Sequence, residues 1–199
     1  MKGAITMEAL AYEYAGDVHE EYELINGEVY MMARPSVRHW RISHNVVNIF
    51  ERKLRGKRCE AFGEIDVHLG EGDDVIPDAM IVCNPDIITD RRIEGTPDLV
   101  VEVVSKSTER KDRREKLETY AKYGVKEYWI VEPRRKSVEV YLLKEGAFVL
   151  DNIYYFYTDK EWADMDEEEL AEANTQKMIK VSLYDDFIVD VAEVFRDVE

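Results

Sequence analysis

The chain has 199 residues, 45% of them hydrophobic and 35% charged, with a formal net charge of −16. That length suits one domain with a real core, and no apolar run approaches the roughly 20 residues that span a bilayer. The acidic balance argues against a protein that coats nucleic acid through its overall field. Its first residues, acidic and without a long apolar core, do not read as a signal peptide.

Residues 6–15 read as a short helix. YELINGEVYMM follows, with Asn26-Gly27 between two apolar-rich runs; this dipeptide signals a two-residue hairpin, since both turn positions need positive φ. Ser36, after Pro35, can cap a helix, and Ile42, Val46, Ile49, Phe50 and Leu54 then recur at helical spacing until Gly56. Strands are expected at 58–62 and 65–69, a polar turn at 70–74 and a further strand over 75–83. A loop with Pro85, Gly95 and Pro97 leads to a strand at 98–104. A helix is expected over 109–123, with Gly124 as its C-terminal cap. KEYWIVEP reads as a buried strand stopped by Pro133; SVEVYLL and FVLDNIYYFYT read as an antiparallel pair. The final MIKVSLYDDFIVDVAEVF supplies a last strand and a short terminal helix. This order predicts a single α/β domain with a mixed sheet.

Charge is uneven. Residues 159–172 hold eight acids and one lysine, and are the single low-complexity candidate. Between Arg34 and Arg58, eight basic residues face one acid, Glu51. A second basic cluster runs from Lys106 to Lys116. Either basic run can be a solvated helix face, but here they flank a candidate carboxylate site. Cys59 and Cys83 show no CxxC spacing and are expected to be reduced, buried thiols in a cytoplasmic protein.

The most informative stretch is DLVVEVVSKST. Leu99, Val100, Val101, Val103 and Val104 read as a strand covered on both faces, and Glu102 sits among them. An unpaired buried carboxylate costs several kcal/mol or neutralises itself, so Glu102 requires a metal ion, a basic side chain or hydrogen-bond donors. Asp98 shares its face but stands about 13 Å away along the strand, too far to share an ion. Asp78, in VIPDAMIVC, lies on another strand that can run alongside. On the following helix Asp112, Lys116 and Tyr120 fall on one stripe; Lys116 can pair with Asp112 or reach back to Glu102. His39, one turn inside the capped helix, is a weaker candidate ligand. No GxSxG, GxxxxGK[ST] or GxGxxG motif is present.

ELINGEVYMM, RHWRIS after a Pro-Ser pair, VIPDAMIVC, GTPDLVVEVVSKST, then Asp112, Lys116, Tyr120 and GVKEYWIVEP resemble the Uma-two family (Uma2, DUF820) of restriction-endonuclease-like, PD-(D/E)xK proteins. The likeness runs from about residue 6 to about residue 143 and returns weakly in SLYDDFIVDVAEVF. The resemblance implies a restriction-endonuclease-like α/β core: a central mixed β-sheet flanked by helices, with an N-terminal β-hairpin, spanning 1–199 as one domain with an acidic insertion near 159–175. It implies that Asp78 and Glu102, with the backbone carbonyl of Val103, hold Mg²⁺ or Mn²⁺. Where the superfamily pattern has its lysine two residues after the acid, this chain has Val104. Lys116 then takes that role, with Lys106 as a weaker substitute. Nucleic acid, DNA in the first instance, is the implied substrate, with contacts from Arg38, His39, Arg41, Ser105 and Lys106. A homodimer in the cytoplasm, without membrane attachment, is expected. The alternative is a catalytically inactive nuclease-fold binding module in a defence or mobile-element assembly, in which Glu102 pairs with Lys116 as a buried ion pair. A third reading has the acidic segment mask a basic face of a structural dimer.

Overall fold

The computed structural model describes residues 22–198; the helix expected over 6–15 lies outside them. Two main sheets carry the fold. The first has five strands in the order β2-β1-β5-β4-β7: β1 (Tyr22–Ile25), β2 (Glu28–Met31), β4 (Val67–Gly70), β5 (Asp73–Val75) and β7 (Ile93–Glu94). The second has six, in the order β11-β10-β9-β8-β6-β3: β3 (Glu60–Phe62), β6 (Ala79–Val82), β8 (Leu99–Val103), β9 (Glu127–Glu132), β10 (Ser137–Lys144) and β11 (Ala147–Tyr155). Only β8/β9 is parallel in the second sheet, which makes it mixed.

Helix α1 (Val37–Leu54) begins at Ser36, whose hydroxyl accepts from the His39 N–H. Its buried stripe, Ile42, Val46, Ile49 and Phe50, packs on one face of the six-stranded sheet against Ala79, Ile81, Val101 and Trp129. The opposite face is covered by the five-stranded sheet and by a helical segment that carries Tyr120. That segment runs through α2 (Glu109–Lys111), a π-helical turn (Asp112–Lys116) and α3 (Leu117–Tyr123), and ends at Gly124, φ +82°. All five residues of β8 are buried, which is why its sequence is a continuous apolar run rather than an alternating one.

The Asn26-Gly27 hairpin forms as expected, with φ +52° and +78° at the two positions. The strand expected over 75–83 is divided: β5 ends at Val75 in one sheet, and β6 starts at Ala79 in the other. Pro77 cannot donate to a ladder, and the chain changes sheets there. The low-complexity acidic segment folds as α4 (Asp159–Asp164) and α5 (Glu167–Thr175), each opened by a capping box, Thr158 with Glu161 and Asp166 with Glu169. The chain ends in a small hairpin, β12 (Met178–Lys180) and β13 (Ile188–Asp190), and α6 (Val191–Val194).

The expectation of two reduced thiols is overturned: Cys59 and Cys83 form a disulfide. β3 and β6 are antiparallel with Glu60 opposite Val82, so the next pair outward is Cys59 and Cys83, with Cα atoms 4.0 Å apart. Strand pairing, not sequence spacing, brings them together. Among the described residues no helix is long and apolar enough to cross a membrane.

Candidate active site

The antiparallel register of β6 and β8 sets Ala79 against Val101. One residue further, the same register sets Asp78 against Glu102, and directly opposed residues share a face. The bond from the Val103 N–H to Asp78 Oδ2, 2.6 Å, fixes the carboxylate there. Gly63 helps to hold this corner: a Cβ on it would fall 3.0 Å from the Asp78 carbonyl oxygen and 2.7 Å from a Val47 methyl. Asp78 Oδ1 meets His39 Nε2 at 2.6 Å. Burial disfavours the His39 imidazolium, but the hydrogen bond and charge of Asp78 outweigh it and raise the histidine's pKa.

Glu102 is 4% exposed and Lys116 2%. Lys116 Nζ donates to Glu102 Oε1 at 2.7 Å and lies 2.5 Å from Glu23 Oε1. The Tyr120 hydroxyl donates to the same Glu102 oxygen at 2.7 Å. Both donors use Oε1, so neither occupies Oε2. Lys111 bonds the other oxygen of Glu23, and the Ile76 N–H donates to its Oε1. Lys116 thus turns to carboxyls from both sheets rather than serving only as an i,i+4 partner of Asp112; the π turn that contains both departs from ordinary helical spacing.

Burial pushes Glu102 well above the ordinary carboxylate range; Lys116 opposes this, and Asp112, Asp78 and Glu23 reinforce it. Burial also raises Asp112. Glu23, although buried, is held below its ordinary value by Lys116 and Lys111. Lys116 would lose its proton more easily through burial alone, but Glu102, Glu23 and Asp112 hold it on. Of the two carboxyls that share Lys116, Glu23 is therefore held ionised and Glu102 is pushed towards its neutral form.

These groups line a groove of about 910 Å³ between α1, the two sheets and the π turn. Ser105 also lines it and its N–H donates to the Thr108 hydroxyl. β8 ends at Val103, so Lys106 lies past the strand and is exposed. Arg38 and Arg41 are exposed on α1; Arg41 donates to the Asp197 carbonyl at 2.6 Å. Asp98 is used elsewhere, accepting from the Cys83 N–H and Lys126. Glu23 and Asp112 belong to the cluster but were not singled out as site residues from sequence. Glu23 sits in an apolar-rich hairpin run whose local pattern points to no partner. Asp112 reads as a helix-surface partner of Lys116, and its proximity to other acids is a tertiary fact.

Among the described residues no three His, Cys, Asp or Glu side chains are grouped to hold a metal. A pair of carboxylates still fits Mg²⁺, which usually keeps several waters and takes only one or two carboxylates from the protein. Glu23, Asp78, Glu102 and Asp112 bring four carboxyl groups together beside the ammonium groups of Lys111 and Lys116 and the imidazole of His39. That excess of hard oxygen donors suits a divalent cation.

The sequence pattern described as "Uma2: Putative restriction endonuclease" matches residues 9–169. An uncharacterized protein of Synechocystis sp., slr1290, is 29% identical over 146 residues, 72% of this chain and 70% of that protein. Of solved structures, "a putative nuclease belonging to DUF820" from Anabaena variabilis superposes with a TM-score of 0.66 at 16% identity, covering 92% of this chain and 94% of that one. This likeness supports the nuclease-like α/β fold with its N-terminal hairpin.

Proposed function

The chain belongs to the Uma2 family, and from that premise we propose that it is a divalent-metal-dependent endonuclease that hydrolyses phosphodiester bonds in DNA. The observation that carries this reading is that Asp78, one residue before β6, stands opposite Glu102 of β8 when their register is continued, and that both line one open groove. Asp78, Glu102 and the carbonyl of Val103 would hold Mg²⁺ or Mn²⁺. When bound, such an ion supplies Lewis-acid polarisation of the phosphate and lowers the pKa of water.

The chain's own residues do the rest. His39 orients Asp78, and the Val103 N–H holds its other oxygen. Lys116 and Tyr120, both buried, hold Glu102 Oε1 from the helical segment packed against it. Lys116, protonated throughout the neutral range, presents positive charge beside the groove and can stabilise charge that builds on phosphate oxygens. Ser105, Lys106, Arg38 and Arg41 would contact flanking phosphates, which fixes the strand's position without reading its sequence. On this reading the protein acts as a homodimer.

The test is cleavage of plasmid and single-stranded DNA with Mg²⁺ or Mn²⁺ by the wild type and by Glu102→Gln. Cleavage by the wild type alone is expected; equal cleavage by both sinks the assignment. A second reading, a nuclease fold without catalysis that serves as a binding module, is favoured by the direct Glu102–Lys116 ion pair. It requires that neither protein bind Mn²⁺ in a calorimetric titration.

A further inference from the structure

On α1, one residue beyond His39, Trp40 is 48% exposed, a costly placement for so large an apolar surface. Its ring stacks on His44 with centroids 4.8 Å apart and planes 11° from parallel. The two rings line a second cavity of about 500 Å³, together with Arg41, Asn45, Arg196 and Asp197. This volume falls in the range of small-ligand pockets.

The far wall is built rather than incidental. Buried Asn45 donates to the carbonyls of Val194 and Arg196, at 3.1 and 2.9 Å, and Arg41 donates to that of Asp197. The C-terminal turn is thereby hung beside the aromatic pair. Arg41 and Arg196, both exposed, line the cavity beside Asp197. Arg34, Ser36 and His39 line the groove, while Trp40, Arg41, His44 and Asn45, next along α1, line this cavity. A preformed flat aromatic face flanked by two arginines matches a planar base carried on a polyanion: bases stack on aromatic side chains whatever their identity, while basic groups track the backbone.

We propose that Trp40 and His44 form a stacking platform for one unpaired nucleobase of the strand held in the groove. The inference rests on the nuclease reading for its substrate and names what that reading leaves open: a strand with an unstacked base next to the cleavage site.

The experiment uses the full chain in metal-free buffer, so that binding is read apart from cleavage. Short single-stranded DNA, an abasic oligonucleotide of equal length and charge, and blunt duplex are titrated against wild type, Trp40→Ala and Trp40→Phe, followed by tryptophan fluorescence and anisotropy. The wild type is expected to bind the base-bearing strand more tightly than the abasic one, with quenching. Trp40→Ala weakens that binding by about five- to a hundredfold, the loss of one base–aromatic stack, and removes the distinction from the abasic strand. Trp40→Phe restores part of both. Equal affinity for base-bearing and abasic strands, tighter binding of blunt duplex, unchanged binding by Trp40→Ala, or no binding of any oligonucleotide overturns the proposal. Trp40-dependent binding without cleavage in Mg²⁺ or Mn²⁺ leaves the platform standing and removes the nuclease reading. Cleavage that is indifferent to Trp40→Ala does the reverse.

Discussion

Lys116 donates to Glu102 across 2.7 Å from fourteen residues further along the chain, with both side chains almost wholly buried. One ammonium group therefore serves a strand in the middle of the six-stranded sheet and, through Glu23, the hairpin of the other sheet. Lys116→Met removes the cation that both carboxyls share, leaving Glu102 only the Tyr120 hydroxyl, and is expected to cost about 3–5 kcal/mol, the usual penalty for breaking a buried pair. Glu102→Gln keeps the shape of a group that burial already pushes towards its neutral form, so its cost is expected to be well below that. Urea denaturation of the two variants checks the order; equal losses would contradict the shared-cation account.

His39 touches Asp78 and acts through it. His39→Ala is expected to weaken Mn²⁺ binding by about ten- to a hundredfold, the range for loss of a group that orients a ligand. The melting temperature should move little, because the side chain lies at the groove. Calorimetric titration separates this from a structural role, and His39→Gln, which can still donate, should recover part of the affinity.

Asp112 is raised above the usual carboxylate range, chiefly by burial. A folded-state pKa above the unfolded value means that the native state holds the proton longer. The cost of this group is thus absent below about pH 4, grows as pH rises from there, and is complete above the folded-state pKa. Asp112→Asn is therefore expected to stabilise the protein at neutral pH and to be indifferent near pH 3. Denaturation curves at both pH values measure this, and no gain at neutral pH would contradict the sign.

The Cys59–Cys83 disulfide closes a loop with a sequence separation of 24. Loop closure of that size corresponds to about 3 kcal/mol from the unfolded chain's entropy. Reduction, or the Cys59→Ala/Cys83→Ala pair, is expected to lower the denaturation midpoint without changing the fold. Thiol titration before and after reduction checks the bond itself.

The apolar run around Glu102 made its need for a partner legible; distance along the strand excluded Asp98 and left Asp78, on another strand, as the better partner. Lys116 was nominated through family resemblance, because its spacing fitted a surface pair with Asp112 equally well. Glu23 was hidden in an apolar-rich hairpin run, and its partner Lys111 stands 88 residues further along the chain. The 75–83 run read as one strand because Val75, Ile76 and the residues after Asp78 are uniformly apolar; Pro77 redirects the backbone between sheets. The acidic segment read as low complexity although it carries the two capping boxes that start α4 and α5.

What the sequence by itself determined is local or periodic: the hairpin at Asn26-Gly27, the capped helix after Ser36, the buried strand of β8, and the demand that Glu102 be compensated. Each follows from φ preferences, 3.6- or 2-residue repeats, or the cost of burying charge. Which groups meet that demand was decided by tertiary structure. The register between β6 and β8 put Asp78 opposite Glu102 and, one pairing away, the β3–β6 register put Cys59 opposite Cys83. Such contacts depend on how distant segments align, a relation that no local repeat encodes.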